Sequence, residues 1–142
     1  MSTHPAIEID HNRLLSEIEA LGSISEAEPP VVTRIVFTPA DLKARAWMKS
    51  RCEEAGLTLR QDAIGNTFAR WNGPNPSAPV VGTGSHIDAI PNAGKYDGVV
   101  GVLGALEAIR ALQRSGRCLQ NTSSIKIGIG IRCRVINDDP VD

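Results

Sequence analysis

The sequence predicts an α/β fold, a β-sheet layered by helices, and three observations carry that prediction. Apolar residues recur at helical spacing over 10–22, 38–55 and 98–116. Short aliphatic runs bounded by glycine, proline and small polar residues occupy 57–61, 67–71, 79–84 and 125–131. The resulting order is helix, helix, strands, strand, helix, strand, and a strand–helix–strand succession favours helices packed on a sheet.

Each element has its own local signal. Asp10 is placed to cap a first helix that has Leu14, Leu15, Ile18 and Leu21 on one face and Gly22 at its end. Ser23 to Pro30 is a polar connector closed by proline, and Val31 to Phe37 reads as a short strand or an ordered loop. Thr38-Pro39-Ala40-Asp41 is a helix start, with threonine as cap, proline in the first turn and aspartate near the positive end of the dipole. That helix runs to about Ala55, with Leu42, Trp47, Met48 and Cys52 as its apolar residues, and Gly56 stops it. Leu57–Gln61 and Thr67–Trp71 are strands around a turn built on Asp62 and Asn66. A loop over 73–79 leads to an apolar run at 79–84 that reads as an inner strand. Pro91-Asn92-Ala93-Gly94 supplies turn chemistry, and from Gly98 a helix shows Val99, Val102, Leu103, Leu106 and Ile109 on one face. Gly98, Gly101 and Gly104 repeat at intervals of three, which predicts close backbone packing on the sheet. Gly116 suits a left-handed C-terminal cap. Ile125, Ile127, Ile129 and Ile131 alternate as a strand would, and left unpaired it would be an exposed edge.

Composition narrows the function classes. The 142 residues make room for one domain, and 42% hydrophobic with 22% charged residues is ordinary globular material. A net charge of −1 without blocks of like charge, and 4% aromatics, argue against a nucleic-acid partner and against a polybasic membrane surface. No apolar run approaches the ~20 residues of a membrane span. Cys52, Cys118 and Cys133 lack zinc-knot spacing, so Cys52 is expected as helix packing. The N-terminus shows no signal-peptide pattern, and the cytoplasm is the default location.

The chemistry concentrates where the strand at 79–84 gives way to the long helix. His86 and Asp88, two residues apart on extended chain, can face the same way. Asp97 follows across a tight loop, at the position an N-cap would hold, so a purely capping role stands beside a ligand role. Imidazole and carboxylates in this arrangement suit a divalent ion such as zinc or manganese, with Asp88 fixing the other imidazole nitrogen. His4 and His11 read as solvated.

The run GTGSHIDAIPNAGKYDGVVGVLGALEAIRAL resembles the metal-binding core of the M20-type amidohydrolases, the group of allantoate amidohydrolase, ureidoglycolate amidohydrolase and N-carbamoyl-L-amino-acid hydrolase. VVTRIVFTPADLKARAWMK and AGLTLRQDAIGNTFARWNG resemble the same family's N-terminal segments, and the likeness extends over residues 10–116. It implies a partial three-layer α/β/α metallopeptidase-like catalytic domain at 1–116, truncated before the lid and dimerisation domain, and a divergent tail at 117–142 holding one strand. It also implies hydrolysis of a ureido C–N bond with release of ammonia, ureidoglycolate being the favoured small substrate and allantoate or an N-carbamoyl amino acid the alternatives. Two Mn2+ ions serve the family: His86 would bind one, Asp97 would bridge both, and Asp88 would orient His86. Arg34 lies in a segment that the family places near its active site, so it is a candidate contact to an anionic substrate beside its reading as a surface salt bridge. Family members are homodimers, and some plant relatives carry secretory signals, which adds the endoplasmic reticulum as a location.

The likeness stops after Gly116. The family continues with a strand ending in Glu-Glu-Pro, one glutamate serving as base and the other as ligand, whereas RCLQNTSSIKIGIGIRCRVINDDPVD contains no such pair. Asp138-Asp139-Pro140 echoes it only superficially. Two side-chain ligands cannot fix two ions, so the chain alone is expected to be inactive, and a non-enzymatic product that misfolds or binds a full-length partner is the competing expectation.

Overall fold

A computed structural model of the chain describes residues 6–116 and 124–130. His4, Cys118, Cys133, Ile131 and the Asp138-Asp139-Pro140 run lie outside the described residues. Helix α1 (His11–Gly22) begins as its sequence dictates, with the Asp10 carboxylate accepting the Arg13 N–H at 3.0 Å. Ile18 and Leu21 are buried, but Leu15 is 57% exposed. At 100° per residue Leu15 stands roughly 90° from the centre of the Leu14, Ile18 and Leu21 stripe, too far round to share it.

Helix α2 (Pro39–Glu54) follows Thr38, whose hydroxyl does not cap but donates to the Ile35 carbonyl at 2.8 Å. Asp41 closes the helix start instead, reaching back to accept the Phe37 N–H at 2.8 Å and the Arg45 Nε–H at 2.7 Å. The core-facing row of α2 is Asp41, Ala44, Met48 and Cys52, which leaves Leu42 on the outside at 55% exposure.

Strands β2 (Thr58–Gln61) and β3 (Thr67–Asn72) form an antiparallel hairpin. Its turn is held by Asp62, whose Oδ1 accepts the Ile64 and Asn66 N–H groups while its Oδ2 accepts from Asn66 Nδ2 at 2.8 Å. Strands β4 (Val80–His86) and β6 (Ser124–Gly130) are parallel and joined through helix α3 (Val99–Arg114), as parallel neighbours require a long crossover. The sheet order is β2-β3-β6-β4. Thus β6 is not left as an unpaired edge but lies inside the sheet, antiparallel to β3 and parallel to β4. Conversely β4, expected as an inner strand, is an edge among the described strands, and Val81 is 51% exposed. A second, two-stranded ribbon pairs β1 (Val32–Arg34) with β5 (Ala89–Ala93), so part of the expected Pro91–Gly94 turn is strand.

The core sits between α3 and the sheet: Val102, Leu103, Leu106 and Ile109 meet Ile127 and Ile129 of β6 and Ala69 of β3, with Ile18, Leu21, Met48 and Cys52 closing it from the other helices. Each large side chain so buried stabilises by roughly 1.5–3 kcal/mol. Two of the three spaced glycines explain how closely α3 docks. A Cβ on Gly101 would lie 2.7 Å from Ser85 Cβ, and one on Gly98 would lie 2.5 Å from the His86 ring, whereas Gly104 has nothing within 4 Å. Polar groups join α1 to α3 as well. The buried Glu107 carboxylate accepts from Arg13 Nε at 2.9 Å, Arg13 Nη2 at 2.7 Å, Arg114 Nη2 at 2.9 Å and the Asp10 N–H at 2.9 Å.

Candidate metal centre

The C-terminal end of β4 and the start of α3 meet at one corner. The chain leaves the sheet at His86, runs through Ile87 and Asp88, forms β5, and returns through a turn at 94–98 into α3. Gly98 is the helix N-cap with φ +68°, a left-handed conformation that an L side chain adopts only at a cost. Its missing Cβ is what leaves room for His86: a methyl there would stand 2.5 Å from His86 Cε1 and from the His86 carbonyl, and 2.6 Å from Nδ1. The imidazole is therefore seated against the residue next to Asp97.

His86 is oriented from within its own loop. Nδ1 lies 3.1 Å from the Asp88 carbonyl oxygen, which can only accept, so Nδ1 carries the proton. Asp88 Oδ1 stands 3.4 Å from the same nitrogen, near enough to act through charge but outside hydrogen-bonding geometry, and it has no other partner among the described residues. With Nδ1 protonated, Nε2 presents the lone pair. His86 and Asp88 side chains are 31% and 22% exposed, so the corner opens to solvent. Asp97 is exposed, and its carboxylate does not cap: the N-cap is Gly98, no side-chain cap bond is made, and the turn is closed by main-chain bonds such as Val99 N–H to Asp97 O at 2.7 Å. Asp97 is thereby free of the structural duty that competed with a ligand role.

Arg34 is placed differently from its expected substrate contact. It is 1% exposed, and its guanidinium donates from Nε to the Ile87 carbonyl at 2.7 Å and from Nη1 to the Leu21 and Ile24 carbonyls at 3.0 and 2.6 Å. Burial lowers its pKa, opposed by the charges of Asp41 and Asp88. An arginine within the apolar run VVTRIVF was itself a hint of burial. Sequence reasoning also passed over Gly98 as the cradle of the imidazole and Asp41 as a buried partner. Asn66 takes part in the hairpin turn through Asp62.

Among the described residues no three histidine, cysteine, aspartate or glutamate side chains cluster as a complete metal site. At the corner His86 stands beside Asp88, and its ring lies against Gly98, the residue after Asp97. Residue types and openness suit a borderline divalent ion. No helix among the described residues is long and apolar enough to cross a membrane.

No family model matches the chain. It is 53% identical over 111 residues to ureidoglycolate hydrolase of Arabidopsis thaliana, an alignment covering 78% of this chain and 23% of that protein. It is 40% identical over 104 residues to N-carbamoyl-L-amino-acid amidohydrolase of Paenarthrobacter aurescens, covering 73% of this chain and 25% of that one. The crystal structure of AtUAH in complex with glyoxylate superposes with a TM-score of 0.82 at 50% identity, over 86% of this chain and 28% of its own. The chain spans about a quarter of the length of the curated relatives it matches.

Proposed function

The chain belongs to the amidohydrolase family that includes ureidoglycolate hydrolase, allantoate amidohydrolase and the N-carbamoyl-L-amino-acid amidohydrolases, and we propose that it carries part of a divalent-metal site for hydrolysing the ureido C–N bond of ureidoglycolate. The observation that carries this reading is the corner itself. His86 is held with its Nε2 lone pair available, by a proton fixed on Nδ1 and by the space at Gly98, while Asp97, next to Gly98 in the chain, makes no cap bond.

His86 and Asp97 would hold the ion, of which Mn2+ is the proposed identity, with Asp88 as the group that orients the imidazole. A divalent ion held there would polarise a carbonyl and lower the pKa of nearby water. What the chain's own residues do is fix donors: the Asp88 carbonyl holds Nδ1 and aims the ring, Gly98 admits the ring, and Asp97 would supply negative charge. Ureidoglycolate is preferred over an N-carbamoyl amino acid because identity to the ureidoglycolate hydrolase, 53%, exceeds the 40% to the carbamoyl enzyme. We read residues 1–116 as a portion of the catalytic domain and assembly into dimers as a property of the longer relatives. That the described residues supply only two donors favours a second reading, a chain without turnover of its own that acts through a partner.

Manganese titration followed by electron paramagnetic resonance of the free ion tests the site. The chain should bind, His86→Ala and Asp97→Asn should abolish binding, and Asp88→Asn should weaken it by roughly 10–100-fold. Equal binding by His86→Ala and the parent chain would refute the site. Ammonia release from ureidoglycolate with Mn2+ should be negligible for the chain alone, since no third ligand or base stands at the corner among the described residues; brisk release would overturn the view that the corner is incomplete.

A further inference from the structure

We propose that Arg34 is a positioning residue that sets the orientation and tautomer of His86 through the Ile87 carbonyl. Arg34 grips the corner twice. Its backbone is the register partner of Ala89 in the β1–β5 ribbon, and its Nε–H holds the carbonyl of Ile87, the residue between His86 and Asp88. The far end of the guanidinium is anchored in turn. Nη1 donates to the Leu21 and Ile24 carbonyls at the C-terminal end of α1, where the helix dipole favours a cation. A residue 1% exposed and committed to three carbonyls has little rotational freedom. The peptide between Ile87 and Asp88 is therefore pinned to a helix end distant in sequence. Because Nδ1 of His86 is tied to the Asp88 carbonyl at 3.1 Å, the position of that carbonyl decides which ring nitrogen keeps the proton.

The charge balance fits a built feature. Asp41, fully buried at the start of α2, and Asp88 are the carboxylates whose charges act on the guanidinium, and each leaves its Oδ1 without a partner among the described residues. A neutral side chain at 34 would take one compensating charge from the two carboxylates, of which Asp41 would keep Arg45, and would remove the guanidinium donor from the Ile87 and Ile24 carbonyls. A lysine would restore charge but reach fewer carbonyls, because an ammonium is a single point where the guanidinium is a fork. The inference draws on the divalent-ion reading only for why the tautomer matters, and its test is independent of metal.

At about pH 8, above the ordinary imidazole pKa of ~6.5, long-range proton–nitrogen NMR on the 142-residue chain should show His86 as the Nδ1–H tautomer. Arg34→Met should shift it to a mixture rich in Nε2–H and speed amide exchange at Asp88 and Ala89 by roughly tenfold or more. Arg34→Lys should recover part of both. Circular dichroism confirms that each variant is folded. A folded Arg34→Met that keeps the Nδ1–H tautomer and parental exchange overturns the proposal. If neither variant folds, exchange of the Arg34 Nε–H in the unaltered chain decides: protection matching the Asp88 amide supports the clamp, and surface-like exchange overturns it. A parent chain with the expected tautomer that fails to bind Mn2+ would sink the ion reading and leave the clamp standing.

Discussion

Gly98→Ala should be among the most damaging single-methyl changes in the molecule, and its neighbours in the same helix provide the scale. At Gly98 the backbone stands at φ +68°, which costs an alanine roughly 1–2 kcal/mol. The new methyl would also meet His86 Cε1 and the His86 carbonyl at 2.5 Å, and the carbonyl belongs to the end of a paired strand and cannot simply turn aside. Overpacking of this kind costs typically about 1–3 kcal/mol. The sum is roughly 2–5 kcal/mol, enough to lower the thermal midpoint of a domain this size by roughly 10 °C or more. Gly101→Ala escapes the backbone term but pushes on Ser85 Cβ at 2.7 Å, so it should cost about 1–3 kcal/mol. Gly104→Ala meets nothing within 4 Å and sits inside the helix, so it should stabilise by about 0.5–1 kcal/mol. Urea unfolding followed by circular dichroism reads all three, and Mn2+ titration reads the first again, since a displaced imidazole binds poorly. Equal effects at 98, 101 and 104, or a Gly98→Ala chain of parental stability, would refute the argument that α3 is seated against His86 through its missing side chains.

Three other expectations follow from buried polar groups. Burial works to raise the Glu107 pKa, but the Asp10 N–H and the Arg114 and Arg13 guanidinia more than offset it, so the pKa lies below the ordinary 4.5. A depressed carboxyl gives stability that is present above its unfolded pKa and fades as pH falls through the folded value. Glu107→Gln should thus cost about 1–3 kcal/mol at neutral pH, and the deficit should shrink below about pH 4.5; an equal deficit at both ends of a urea series would contradict this. Cys52 is buried with its thiol pKa pushed up to about 11 by desolvation, so it should resist a thiol reagent at neutral pH until the chain unfolds, as peptide mapping of the labelled cysteine would reveal. Asp41→Ala removes the acceptor of Phe37 N–H and Arg45 Nε–H and should destabilise by about 2–4 kcal/mol, with Arg34 left less compensated; a loss below about 0.5 kcal/mol in urea would refute its role as the closure of α2.

Much of this molecule is written locally. Asp10 before an amphipathic run, Pro39 in a first turn, Asp62 and Asn66 in a five-residue turn and Gly116 at φ +66° act within a few residues, so α1, α2, α3, the hairpin and the cap could be read off the chain. The H-x-D pair and Asp97 could be singled out as candidates for the same reason, lying within one short stretch of chain. The tertiary structure decided what depends on partners distant in sequence. Pairing with Val32–Arg34 turned Ala89–Ala93 from turn into strand, and the β4–α3–β6 crossover drew Ser124–Gly130 into the middle of the sheet while leaving β4 at its edge. It buried Arg34, a residue whose charge suggested a surface, because three carbonyls from two distant elements converge on it. It also freed Asp97, since Gly98 took the cap and its absent side chain made way for His86. Periodicity and turn chemistry are short-range and survive in a one-dimensional string; burial, register and the direction of a hydrogen bond exist only once separate segments share the same space.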